Sequence, residues 1–108
     1  MKKGEIWSVE IPAVDGHEQT GTRPAIILAQ ATNIAIIIPL TSNVQALRFP
    51  YTVDISPSKK NGLDTTSIAL VFQIRAIDRK RIKRKIGVLE EGALKDINVI
   101  LKRMLDLD

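Results

Sequence analysis

The chain has 108 residues, 44% of them hydrophobic and 26% charged, with a formal net charge of +4, a composition that predicts one folded domain and excludes an apolar-poor disordered chain. With no cysteine and one histidine, disulfides, thiolate metal sites and His-based zinc sites are excluded, and neither a metal nor a cofactor is expected. Aromatic residues make up only 4%, so the core must be aliphatic and wide stacking platforms for single-stranded nucleic acid are not expected.

"EIWSVEI" from Glu5 to Ile11 alternates with the period of a strand that has one partly buried face. Pro12 to Thr22 holds two glycines among mostly polar residues and is predicted to be a long loop, hence a functional candidate. "RPAIILAQ" and "IAIIIPL" come next, rich in β-branched residues and separated by "ATN", which predicts a hairpin in the middle of a sheet. Such apolar runs are far shorter than the roughly 20 residues that span a bilayer, and no charged-then-apolar leader opens the chain, so a soluble, cytoplasmic protein without a membrane partner is expected.

Thr41 to Arg48 reads as a polar loop and "FPYTVDI", Phe49 to Ile55, as a fourth strand with Pro50 at its start or on an edge. "SPSKKNG" supplies a turn in which Asn61 and Gly62 are suited to positive φ. "SIALVFQI" is predicted as a fifth strand. In "IDRKRIKRKIG" one helical turn capped by Asp78 is expected, then a sixth strand around Lys85 to Leu89. From Glu90 the period changes: Ala93, Leu94, Ile97, Ile100, Leu101, Met104 and Leu105 recur at three and four, marking an amphipathic helix with Glu90 and Glu91 at its start and Lys102 and Arg103 near its end. Short strands followed by one helix predict a mainly β protein, a small, strongly bent SH3-like β-barrel with a C-terminal α-helix.

Arg23 begins one strand of the hairpin and Thr41 closes the other, which places them at the same open end of an antiparallel pair. The arginine fork suits a phosphate, although an arginine at a strand end also serves as the partner of a carboxylate. Thr41 and Ser42 offer hydroxyls to a phosphate oxygen or to their own turn. With His17 in the preceding loop, this set points to phosphate chemistry more than to peptide or glycoside hydrolysis. Six of the seven residues from Arg79 to Lys85 are basic, which suits a nucleic-acid backbone, an acidic partner segment or a solvated turn.

"GEIWSV", "GHEQTGTRPAIIL", "PLTS", "NGL", "QIRAIDRKRI" and "IGVL", in that order, resemble the MazF/PemK (Kid-type) family of toxin endoribonucleases from type II toxin–antitoxin modules. The resemblance runs from Lys3 to about Leu105. It implies a homodimer that cleaves single-stranded RNA, including mRNA, at short sequences without a metal. The ribose 2′-hydroxyl attacks the adjacent phosphate in this family, leaving a 2′,3′-cyclic phosphate and a 5′-hydroxyl, and so arresting translation and growth. The implied partners are an antitoxin of MazE type with an acidic C-terminal segment, and operator DNA only together with that antitoxin.

Carried over by motif, the resemblance makes Arg23 and Thr41 the catalytic pair, with His17 and Ser42 as assisting residues. It places Gln19, Thr20, Gln73, Arg75 and Arg81 on the RNA, with the fold or the dimer as the other role open to Arg75. Some relatives carry an acidic residue at or near the position of Phe72, and none stands here between Ile68 and Ile77. Two other readings fit a small basic barrel: a non-catalytic nucleic-acid binder, and a CcdB-type toxin that inhibits gyrase by contact.

Overall fold

The computed structural model describes residues 1–12 and 21–107; His17, Gln19 and Thr20 lie outside them. The first alternating stretch forms β1 (Glu5–Ile11), and the central hairpin forms β2 (Gly21–Gln30) and β3 (Ile34–Thr41). The hairpin closes where the Ala31 N–H donates to the Ile34 carbonyl at 2.8 Å. Three consecutive β2 residues, Ala25, Ile26 and Ile27, are all buried, because this strand lies between two apolar layers. Ile26 belongs to one layer with Ile6, Ile38, Leu40 and Val71, and Ile27 to the other with Val9, Ile11, Ile37 and Ile77.

β3 forks the architecture. Its first half, Ile34 to Ile37, pairs with β6 (Arg75–Asp78), while Leu40 and Thr41 pair with β5 (Ser67–Leu70), which in turn pairs with β4 (Thr52–Ile55). On the other side β2 pairs with β1, and β1 with β7 (Ile82–Val88). The result is a strongly bent antiparallel sheet with a C-terminal helix, the expected class; among the described residues no ladder joins β6 to β7 to close it.

The fork accounts for several departures from the expected elements. The apolar run Ser67 to Ile74 is not one strand: a 3-10 turn at Val71–Gln73 carries the chain from one half of β3 to the other, with the Ile74 N–H donating to the Val71 carbonyl at 3.1 Å. β4 begins at Thr52 because Tyr51 has a φ of 58°, which interrupts the extended backbone after Pro50. The expected polar loop contains a 3-10 helix, Val44–Arg48, started by Asn43, whose side chain accepts from the Gln45 N–H at 3.1 Å. β7 begins three residues earlier than expected, at Ile82, since Ile82, Arg84 and Lys85 all take part in its ladder with β1.

Asp78 caps the short turn Arg79–Arg81 as anticipated, its carboxylate accepting from the Lys80 N–H at 2.9 Å. The helix α1 (Glu91–Met104) packs Ala93, Leu94, Ile97, Ile100, Leu101 and Met104 onto the first apolar layer, with Ile97 fully buried. Gly62 takes the positive φ foreseen for it, at 69°, whereas Asn61 is not among the positive-φ residues and acts through a buried side chain instead. Gly62 and Gly87 mark a close crossing: a Cβ on Gly87 would stand 2.4 Å from the Asn61 backbone, and one on Gly62 would stand 2.3 Å from the Ile86 carbonyl oxygen.

Candidate RNA-cleavage site

The hairpin register fixes how Arg23 and Thr41 meet. Ala25 stands opposite Pro39 in the β2–β3 ladder, and two residues further toward the open end β2 has reached Arg23 and β3 has reached Thr41. Both line one cleft of about 180 Å³ together with Ser42, Asp64, Thr65 and Ser67. Arg23 is half-buried at the strand start, Thr41 is buried, and Ser42 is exposed just beyond it.

Thr41 is oriented by its own turn: its Oγ1 accepts from the Asn43 N–H at 3.2 Å. A hydroxyl has one donor and two acceptor positions, so its proton remains available to an oxygen in the cleft. The β3–β5 ladder holds the other side of the residue, Thr41 standing opposite Ile68. Arg23 is held through β1, opposite Val9. A permanently charged guanidinium and a positioned hydroxyl, each anchored in a sheet, suit charge that develops on a phosphoryl group.

Thr41 also lines a second cleft, of about 420 Å³, with Asn43, Gln45, Arg48, Phe49, Phe72 and Gln73. Here the scarcity of aromatic residues is offset by their placement. The Phe49 and Phe72 rings lie 5.6 Å apart at a 50° tilt, and the Arg48 guanidinium sits 5.0 Å above the Phe49 ring. A wide platform is absent among the described residues, yet two half-exposed rings with a cation are enough surface to stack one base.

Gln73 thus reaches the Thr41 region through the 3-10 turn, as a liner of this second cleft. Arg75 lies on β6 opposite Ile37 and lines neither cleft. Arg81 is paired with Glu10 at 3.2 Å, both side chains being substantially exposed. Asp64 and Thr65 escaped the sequence reading, which took "SPSKKNG" as a turn and "NGL" as part of the family resemblance. The signal available was a carboxylate and two threonines immediately before an apolar strand. Among the described residues no group of three His, Asp or Glu side chains stands close enough to hold a metal ion.

The turn that carries Asp64 into the cleft is itself anchored. Asn61, fully buried, donates to the Ser56 carbonyl and to Glu90, each at 2.9 Å, and accepts from the Ser58 and Leu63 N–H groups, each at 3.0 Å. Ser58 donates to the other oxygen of Glu90 at 2.5 Å. The Ser58 hydrogen bond, then that of Asn61, holds the Glu90 carboxyl below the usual range against the opposing effect of burial.

A family model described as the PemK-like, MazF-like toxin of type II toxin-antitoxin system matches residues 2–105. An Endoribonuclease MazF from Staphylococcus saprophyticus is 31% identical over 103 residues, spanning 91% of this chain and 85% of that protein. Among solved structures, MazF from Deinococcus radiodurans superposes with a TM-score of 0.81 at 24% identity, covering 98% of this chain and 96% of that one. A mycobacterial endoribonuclease in complex with its cognate antitoxin gives a TM-score of 0.73 at 18% identity, covering 98% and 93%. On the match across 104 of its positions, residues 2–105, and on the 31% identity with the staphylococcal protein, the chain belongs to the PemK-like, MazF-like toxin family of type II toxin–antitoxin systems.

Proposed function

We propose that the protein is the toxin of a type II module and a metal-independent endoribonuclease that cuts single-stranded RNA, mRNA included, at a short sequence. The observation that carries this reading is the arrival of Arg23 and Thr41 in one cleft from the two strands of the central hairpin. In the proposed reaction the 2′-oxygen bonds to phosphorus as the bond from phosphorus to the 5′-oxygen breaks, giving a 2′,3′-cyclic phosphate and a 5′-hydroxyl. Arg23 and Thr41 stabilise the charge on the phosphorane by donating hydrogen bonds, with Ser42 beside them.

The 2′-hydroxyl proton needs an acceptor and the leaving oxygen a donor. Asp64 is the carboxylate among the described residues that line this cleft, and His17 is the other candidate for proton transfer. The second cleft offers Phe49 and Phe72 for stacking and Gln73 for hydrogen bonding to a base. By family, the toxin acts as a homodimer and is held inactive by an antitoxin of MazE type through an acidic C-terminal segment, operator DNA being bound only by the pair. The complex formed by the mycobacterial relative supports the antitoxin part of this reading.

The test is to incubate the purified protein with a long single-stranded RNA in excess EDTA and to map the fragment ends. Cuts at one short sequence with 5′-hydroxyl ends are expected. Arg23→Ala should keep its fold and lose about a thousandfold in kcat, the scale of one removed transition-state donor. Full activity in that variant would refute the assignment.

A further inference from the structure

The basic run from Arg79 to Lys85 is not one surface in the folded chain. Four of its six cations are bonded back onto the protein: Arg79 to the Thr32 carbonyl, Arg81 to Glu10, Lys83 to the Lys80 carbonyl and Lys85 to Glu5. Lys80 and Arg84 make no side-chain hydrogen bond or ion pair among the described residues, and Arg84 lines a cleft. That cleft, of about 210 Å³, also contains Pro24, Leu63 and Asp64, and the same three residues line the Arg23–Thr41 cleft. The two depressions are therefore neighbours that share these three lining residues.

The register explains why Arg84 faces this way. On β1, Ser8 stands opposite Arg84 of β7 on one side and opposite Pro24 of β2 on the other. Residues directly opposite across a sheet project to the same face, so the Arg84 side chain leaves the sheet on the side of Pro24, a residue that lines both depressions. Lys85, opposite Trp7 in the ladder, projects to the other face, where it pairs with Glu5.

We infer that Arg84 binds a backbone phosphate of the RNA next to the scissile one, and so sets the path of the strand past Asp64 into the Arg23–Thr41 cleft. The inference rests on the proposed ribonuclease activity. An exposed, permanently charged fork with no partner among the described residues suits a phosphate, and the Asp64 carboxylate between the two arginines suits a ribose hydroxyl at the step from one phosphate to the next. Of the run's six cations, four have ends in the fold, and Arg84 is the one placed beside the cleft that holds Asp64.

The test uses the whole protein and a short single-stranded RNA carrying the mapped cut sequence. Arg84→Gln should raise KM about tenfold near 0.1 M salt with kcat changed less than twofold, and should flatten the salt dependence of log(kcat/KM) by about 0.7, one single-strand phosphate contact. Arg84→Lys should recover part of the loss, and Lys85→Gln should change KM less than twofold. A methylphosphonate scan of the substrate should find one linkage beside the cut whose neutralisation weakens the wild type and has no further effect on Arg84→Gln.

An unchanged KM and salt slope in Arg84→Gln would overturn the inference, as would equal sensitivity of wild type and variant at every linkage. Because wild-type cleavage and its loss in Arg23→Ala are read in the same assay, a failure confined to Arg84 leaves the ribonuclease reading standing. Fluorescence anisotropy of labelled RNA reads the same contact without cleavage, so a protein that binds but does not cut decides the point equally.

Discussion

Replacing Asn61 with alanine removes a side chain whose four hydrogen-bonding positions are all filled, at 2.9 to 3.0 Å, inside a fully buried site. The groups left behind are the Ser58 and Leu63 N–H groups, the Ser56 carbonyl and one oxygen of Glu90. A buried polar group deprived of its partner costs about 1 to 3 kcal/mol. Leu63 is buried and bears that cost in full, whereas the groups nearer the surface regain water, so the total is about 3 to 5 kcal/mol. Set against a typical total of roughly 5 to 15 kcal/mol, this is a large share of stability. It should lower Tm by about 15 to 30 °C for a domain of this size.

Thermal and urea unfolding, followed by circular dichroism and by the fluorescence of Trp7, would measure the loss. Asn61→Asp separates the hydrogen bonds from the volume: it keeps the acceptors, loses the donors and sets a second carboxylate against Glu90, so its deficit should shrink as pH falls and one carboxyl protonates. A double-mutant cycle with Glu90→Gln should show coupling of about 1 to 3 kcal/mol. If Asn61→Ala unfolded within about 1 kcal/mol of the wild type, below the cost of a single orphaned buried group, the reasoning would fail. The consequence reaches the cleft, because Leu63, Asp64 and Thr65 come directly after this turn.

Gly87→Ala should cost at least about 2 kcal/mol, because the added methyl group meets the backbone of Asn61 and Lys60, at 2.4 to 2.6 Å, and not a side chain able to turn away; denaturant midpoints would check this. Glu5 predicts an acid-side effect. Its carboxyl is lowered from the ordinary 4.5 to about 2, chiefly by the Trp7 indole N–H, which donates at 2.9 Å, with Lys85 adding a further hydrogen bond and an ion pair. A carboxyl whose folded pKa is depressed contributes stability that is complete above about 4.5 and disappears as pH falls toward about 2. Unfolding of Glu5→Gln should therefore be less dependent on pH across that window, and a wild-type slope retained in the variant would count against Glu5 as its source.

Local pattern was enough for much of the fold. The alternation in Glu5–Ile11, the β-branched hairpin of β2 and β3, the Asp78 cap and the three-and-four spacing of α1 all depend on neighbours in sequence, and each appears as read, except that Gly21 and Thr22 pair with Ile11 and Glu10 in β2 instead of belonging to the loop, and Leu105 lies exposed just past the end of α1. The placement of Arg23 and Thr41 at one open end also arises locally, since a hairpin with a short turn leaves only one register for its strands. Where the fold departed from expectation, the deciding contact was remote. An apolar run such as Ser67 to Ile74 looks the same whether it is one strand or a strand, a 3-10 turn and part of another, because periodicity reports which faces are buried and not which partner buries them.

Only the fork of β3 brings Phe72 and Gln73 beside Thr41, and only the buried amide of Asn61 brings Asp64 to the cleft. The basic run divides for the same reason. In the sequence its six cations are equivalent, a block of like charge open to a polyanion or an acidic partner. In the fold, the β1–β7 ladder sets Glu5 and Glu10 against Lys85 and Arg81 and leaves Arg84 opposite Ser8, facing the cleft. Residue type and local pattern set the chemistry of these groups and the elements that carry them; which charges are neutralised and which meet in one cleft depends on pairings between strands distant in the chain, to which local periodicity is blind.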